Sequence, residues 1–217
     1  MVKPVLLDLC CGVGGATRGY QLAGFEVIGV DKHPQIDYCG DHFHKMDVLQ
    51  AIERLKPGSV QAIHASPPCQ ASCALSKGTN GTTRHTQLIP AVREAIASIG
   101  VPTVLENVPG SIMRRDVSLC GEMFGLGVIR HRYFEIEGFE CPQPKHITHR
   151  GRVTGYRHGV WSVGPYVAVY GRGGGKGSVK QWKAAMGIDW TDRSYAIAEA
   201  IPPAYTQYIG QSLIAVC

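Results

Sequence analysis

Through its first hundred residues the chain alternates short apolar runs with longer amphipathic stretches. Val5-Leu-Leu-Asp8 has the pattern of a buried strand and runs into the glycine-rich Cys11-Gly-Val-Gly-Gly15. Ala16 to Ala23 reads as a helix closed by Gly24, and Glu26-Val-Ile-Gly-Val30 as a second strand ending at Asp31. Val60 to Ala65 is a third strand, stopped by Pro67-Pro68. Gln87 to Ile99 has helical spacing, and Thr103-Val-Leu-Glu106 is a further strand before Pro109-Gly110. This rhythm predicts an α/β fold, with a mostly parallel sheet and helices on both faces.

The rhythm fails beyond about Ile129. Residues 128–136 predict a β-segment carrying Arg130 and Arg132, and 141–180 is rich in Pro and Gly, with Gly171-Arg-Gly-Gly-Gly-Lys-Gly177 as a loop. Helical spacing returns over Val179 to Met186 and over Ala204 to Val216, the latter behind Pro202-Pro203. The expected organisation is a core over 1–136, a short irregular insertion over 137–178, and a segment over 179–217 that rejoins the core.

Composition narrows the class. With 217 residues, 44% hydrophobic and 18% charged, the chain can bury a proper core, which excludes a disordered polyelectrolyte. No apolar run reaches the ~18–20 residues that span a bilayer, so no membrane partner is expected. Met1-Val-Lys-Pro4 leads into a strand pattern and not a signal sequence, so a cytoplasmic location is expected. Eight cysteines form no regular framework, which predicts free thiols and makes a well-placed cysteine a candidate nucleophile.

Charge is unevenly spread. Between Cys141 and Ile188 there is no Asp or Glu, and the stretch carries +8, leaving −3 on the rest of a +5 chain. Its cations include Lys145, Arg150, Arg152, Arg157, Arg172 and Lys176. Such a run is either a solvated face or a phosphate-contacting surface. Tyr156, Trp161, Tyr166 and Tyr170 interleave with it, suiting base stacking or the packing of the insertion. Cys141, His146 and His149 have zinc-compatible types without an evident fourth ligand, so no metal is expected.

Three strand ends carry the candidate chemistry. The loop after the first strand holds Gly12, Gly14 and Gly15, where a ligand can approach the backbone, and Asp31 ends the next strand, where an acid can hold ribose hydroxyls. The spacing departs from the dinucleotide pattern and favours a smaller adenosyl ligand. Pro67-Pro68 presents Cys69 at the next sheet edge, and Glu106 ends the strand after it. A thiol and a carboxylate at one crevice fit nucleophilic attack with proton management.

In order along the chain, Asp8-Leu-Cys-Cys-Gly-Val-Gly-Gly15, Pro67-Pro-Cys-Gln70, Glu106-Asn-Val108, Arg130-His-Arg132 and Ala200-Ile-Pro-Pro203 resemble the motifs of the DNA (cytosine-5) methyltransferases, including small phage-encoded members. The resemblance implies a Rossmann-like S-adenosylmethionine-dependent methyltransferase fold, S-adenosylmethionine as cofactor, and double-stranded DNA as partner, with no obligate protein partner. It implies that Cys69 attacks C6 of a flipped-out cytosine and that Glu106 protonates N3. Asn107 would hold the nucleophile loop, and Arg132 with Arg130 would contact the base. Asp8, Cys10, Gly12, Gly14, Gly15, Asp31, Lys32, Asp47 and Pro67 would surround the cofactor. Gln70, Lys145, Arg150, Arg152, Arg157, Arg172 and Lys176 would contact DNA. A catalytically silent DNA-binding homologue, the same chemistry on tRNA, and a nicotinamide oxidoreductase remain as alternatives.

Overall fold

In a computed structural model of the protein, the described residues are 2–68, 88–157, 159–170 and 177–217, without the side chain of Arg157. Cys69, Gln70, Arg172 and Lys176 therefore lie outside the described residues. The core strands are β1 (Val5–Leu9), β2 (Glu26–Asp31), β3 (His42–Lys45), β4 (Ala62–Ala65), β5 (Thr103–Asn107), β6 (Val117–Leu119) and β7 (Arg132–Glu137). They form one sheet of order β3-β2-β1-β4-β5-β7-β6. The first five strands in that order are parallel, and β7 runs antiparallel to both β5 and β6.

Alternation along the central strands divides the core between two faces. Leu6, Val27, Ala62 and Val104 point to a layer that holds α1 (Gly15–Ala23) and α6 (Pro203–Leu213), contributing Tyr20, Tyr205, Ile209 and Leu213. Leu7, Leu9, Val30, Ile63 and Leu105 face the other layer, α2 (Val48–Glu53) and α3 (Leu88–Ala97), through Ile52, Ile89, Val92 and Ile96. Burial on both faces is why these strands read as continuous apolar runs. A third cluster gathers Val128, Val169, Trp182, Met186, Ile188 and Ile197, joining α4 (Val179–Met186) and α5 (Ser194–Glu199) to the end of the insertion.

The helices α1 and α6 approach so closely that their glycines have no room for a methyl group. A Cβ on Gly19 would stand 2.0 Å from Thr206 Oγ1 and 2.2 Å from the Pro203 carbonyl oxygen. The Thr206 hydroxyl donates to the Ala16 carbonyl across the same seam at 2.8 Å.

Residues 138–170 contain a small hairpin, β8 (Gly155–Arg157) and β9 (Val160–Ser162), and otherwise irregular backbone. They are stitched to the core by side chains. Gln143 pairs with both backbone groups of Ser118 (2.7 and 2.9 Å), and Tyr208 donates to the Pro142 carbonyl at 2.9 Å. Tyr166, one of the four aromatics with a possible stacking role, is fully buried and donates to Glu122. Tyr156 and Trp161 instead stand exposed on the hairpin, edge to face at 4.9 Å.

Candidate active site at the sheet switch point

Strand order reverses between β1 and β4, and in open α/β sheets ligands occupy the crevice beyond the carboxyl ends of such a pair. The loop leaving β1 is wound tightly. Cys10 (φ 60°), Gly12 (φ 52°) and Gly14 (φ 90°) all adopt the left-handed conformation. Cys10 is the one non-glycine to do so among the described residues, and such strain concentrates at functional sites. The glycines serve different ends. A Cβ on Gly12 would meet nothing within 4 Å, so this backbone is open to a ligand. A Cβ on Gly14 would strike Cys39 Sγ at 2.7 Å, and one on Gly15 the Ile201 carbonyl at 2.3 Å. These two are required by packing. The Trp190 indole fixes the loop from the far end of the chain, donating to the Val13 carbonyl at 2.9 Å.

Asp31 closes the side of the loop, accepting from the Gly12 amide (3.1 Å) and the His33 amide (2.9 Å). Each carboxylate oxygen retains a second lone pair for ribose hydroxyls. Asp47 caps α2, accepting from the Leu49 amide at 2.9 Å through Oδ1. Its Oδ2 accepts no hydrogen bond from the described residues. Lys32 is exposed beside Asp31. Open backbone at Gly12 and two acids with spare acceptors fit an adenosyl ligand.

Asp8 is fully buried beneath the loop, and its Oδ2 accepts from the Thr17 hydroxyl at 2.5 Å while Oδ1 has no partner. Burial raises its pKa from 3.8 to about 7. The folded state therefore holds a proton that the unfolded chain gives up, and stability falls as pH rises from about 4 to about 7. At 1.36 kcal/mol per pH unit, the full effect is up to roughly 4 kcal/mol. Asp8→Asn keeps an acceptor for Thr17 without the charge. Its melting temperature relative to the parent is expected to climb across that pH window, and a constant difference would contradict the assignment.

The opposite wall is the end of β5. Asn107 donates to the Pro67 carbonyl at 2.9 Å, tying the Pro67-Pro68 turn to this strand. Glu106 is buried and pairs with Arg132 Nε at 2.9 Å, while Arg132 Nη1 donates to the His131 carbonyl at 2.9 Å. Burial raises the Glu106 pKa, and the nearby Arg132, Arg130 and Ser66 only partly oppose it. A carboxyl in this state carries a proton at higher pH than usual and can donate it.

Behind Glu106 runs a buried polar chain that the motifs do not announce. Tyr20 OH meets His64 Nδ1 at 3.0 Å, and His64 Nε2 meets Ser66 Oγ at 2.8 Å. Ser66 in turn bonds Glu106. Burial lowers the His64 pKa to about 3, so the ring is neutral. With the Tyr20 hydroxyl donating to Nδ1, Nε2–H donates to Ser66 and the serine hydroxyl is free to donate to Glu106. The only sequence signal was the pair of polar residues interrupting Ile63-His-Ala-Ser66.

Two of the expected contact residues have partners within the protein. The buried Arg130 guanidinium, expected to contact the base, donates to the carbonyls of Val169 (3.0 Å) and Ala198 (2.5 Å), binding the insertion and α5 to the core. Arg150, expected on DNA, pairs with the buried Glu122 at 2.6 Å while its own side chain remains 59% exposed. Lys145 and Arg152 are exposed. Burial raises the thiol pKa of all six described cysteines, to about 12 for Cys10 and Cys39, so none is a ready thiolate. Cys141 sits near Ser212, apart from His146 and His149, whose neighbours are Cys120 and His131.

The fold has close counterparts. The S. pombe Dnmt2 methyltransferase superposes with TM-score 0.60 over 95% of this chain and 97% of its own, at 13% identity. A protein described as a DNA modification methyltransferase encoded within an E. coli prophage gives 0.63 over 99% of both chains, at 14% identity. The architecture is thus the Rossmann-like fold of S-adenosylmethionine-dependent methyltransferases.

No protein-family model matches the chain. Two curated relatives from Herpetosiphon aurantiacus do. Type II methyltransferase M.HgiDI is 26% identical over 162 residues, 70% of this chain, and the chain spans about half of that protein's length, 52%. Type II methyltransferase M.HgiGI is 31% identical over 111 residues, which are 47% of this chain and 88% of that protein. The chain belongs to the type II methyltransferase family. No helix among the described residues is long and apolar enough to cross a membrane.

Proposed function

We propose that the protein is a DNA cytosine-C5 methyltransferase that uses S-adenosylmethionine. The observation that carries this reading is the buried Glu106–Arg132 pair at the switch point, beside a Pro67 turn held by Asn107. Cytosine C6 is a poor electrophile unless N3 is protonated, and a carboxyl of raised pKa backed by a guanidinium suits that task. Cys69 follows the Asn107-held turn directly in sequence, which favours it as nucleophile.

The Cys69 thiolate adds to C6 of a flipped-out base while Glu106 gives its proton to N3. When bound, S-adenosylmethionine would supply its sulfonium methyl group to the electron-rich C5 and leave as S-adenosylhomocysteine. Loss of the C5 proton to a base then expels Cys69 and restores the ring, with the N3 proton returning to Glu106. Asp31, Asp47 and the Gly12 backbone would hold the adenosyl group. The insertion at 137–178, with Tyr156 and Trp161 exposed on its hairpin, would face the DNA, where Lys145 and Arg152 add phosphate-seeking charge.

The test is incubation with labelled S-adenosylmethionine and duplex DNA containing 5-fluorocytosine. A denaturation-resistant adduct is expected, lost in Cys69→Ser and retained in Cys73→Ser. Label that enters tRNA and not DNA, or the absence of any adduct from folded, cofactor-binding protein, would refute the reading.

A further inference from the structure

Where the insertion meets the core, Cys120, His131, His146 and His149 converge. One ligand atom from each lies within 4.8 Å of all the others. The Cys120 sulfur is 3.3 Å from His149 Nε2, and His131 Nε2 is 3.1 Å from His146 Nε2. Zinc bonds of about 2.0–2.1 Å to nitrogen and about 2.3 Å to sulfur, at tetrahedral angles, place neighbouring donor atoms roughly 3.3–3.6 Å apart. The two measured edges are already close to that figure.

The donors come from three separate stretches of chain. Cys120 follows β6, His131 precedes β7, and His146 and His149 belong to the insertion. The rings of His131 and His146 stack with an interplanar angle of 10° at a centroid distance of 5.3 Å. His149 lies tilted against both. Packing alone explains this grouping poorly. His146 is exposed and three imidazoles bury little apolar surface, while the 3.1 Å approach of His131 and His146, which one choice of tautomers makes a hydrogen bond, links only two of the four groups.

We propose that Cys120, His131, His146 and His149 form a structural zinc site that fastens the insertion to the catalytic core. One borderline-soft thiolate with three imidazoles selects zinc over magnesium or calcium, which prefer oxygen. Four protein donors leave no open position, so the ion is structural. Binding releases the Cys120 thiol proton to solvent and changes no oxidation state. The site also bears on the crevice. His131 is the residue between Arg130 and Arg132, and its carbonyl holds the guanidinium that pairs with Glu106. The metal assignment stands independently of the proposed reaction.

The experiment uses the untagged full chain, with metal content measured after dialysis, and cobalt(II) added to metal-free protein. One zinc per chain is expected, and cobalt should give intense visible bands with a sulfur-to-cobalt charge-transfer band. Cys120→Ser should abolish the charge-transfer band, and His146→Ala, at an exposed position, should drop zinc well below stoichiometric. Cys141→Ser should retain one zinc. A folded parent chain that takes up neither zinc nor cobalt would overturn the proposal. So would zinc content unchanged in Cys120→Ser and His146→Ala, since the metal would then lie elsewhere. Both outcomes are independent of whether DNA is methylated.

Discussion

Glu106→Gln is expected to lower the rate of methyl transfer by about 10²–10⁴-fold, the range lost when a positioned acid is removed. Glutamine fills the same space at the end of β5 and can still bond N3 through its amide. It has no proton to give at that pKa, so C6 stays weakly electrophilic and the Cys69 attack slows. The substitution also leaves the Arg132 guanidinium, 2.9 Å away in the parent, without its anionic partner. Cofactor binding, which the proposed reading assigns to the β1 loop and Asp31, should change little. The pH profile provides the sharper test. In the proposed reaction the parent needs the protonated carboxyl, so its activity is expected to fall as pH rises through the raised pKa of Glu106. The glutamine variant should lose this alkaline limb. Single-turnover rates with labelled S-adenosylmethionine across pH measure both effects, and an unchanged limb in the variant would assign it to another group.

The largest expected loss of stability is at Gly19. In Gly19→Ala the new methyl would lie 2.0 Å from Thr206 Oγ1, 2.2 Å from the Pro203 carbonyl oxygen and 2.7 Å from the Gln207 amide nitrogen. The hydroxyl could rotate, but two of the three obstacles are backbone at the start of α6. Relief requires the helices to part, which breaks the Thr206 bond to Ala16 and opens the contacts around the fully buried Tyr20 and Tyr205. A cost of about 3 kcal/mol or more follows from overpacking at a rigid seam, against about 1 kcal/mol gained from helix propensity. For a chain of this size that is a fall in Tm of roughly 4–12 °C. Thermal unfolding monitored by circular dichroism checks it, and a Tm equal to the parent's would show that the seam can open at no cost.

Much of the core was legible because its strands are buried on both faces. Val5-Leu-Leu and Ala62-Ile-His-Ala carry an apolar signal that no surface requirement dilutes. The helix closed by Gly24 was marked by its own punctuation, a glycine at φ 112°. Edge and capping elements were missed. The strand β3 is His42-Phe-His-Lys45, mostly exposed, and reads as loop because it shares only one edge with the sheet. The helix α2 is six residues long, too short to show a period, and depends on Asp47 for its start. At the candidate site, the residues legible in the sequence are those set by local motifs: the glycine turn, Pro67, Glu106 and Asn107. Those set by long-range packing were not. Nothing adjacent to Arg130 announces that Val169 and Ala198 will claim its guanidinium. Likewise His64 joins Tyr20 only because β4 and α1 are brought together, and Cys120 is separated from His146 and His149 by the whole of β7.

The seam between α1 and α6 also has a consequence in time. The glycine turn that would receive the adenosyl group leads into α1, which packs on β1 and β2 but whose seam with α6 stays open until that helix arrives, 180 positions later between Ala23 and Pro203. At about 5–20 residues per second, a ribosome takes on the order of 10–35 s to bridge that interval. Through it, the side of α1 that meets α6 waits exposed, and a nascent chain already holding every motif through Arg132 still lacks the packing of α6 against the loop's helix. Activity would switch on late and all at once, when the final helix docks.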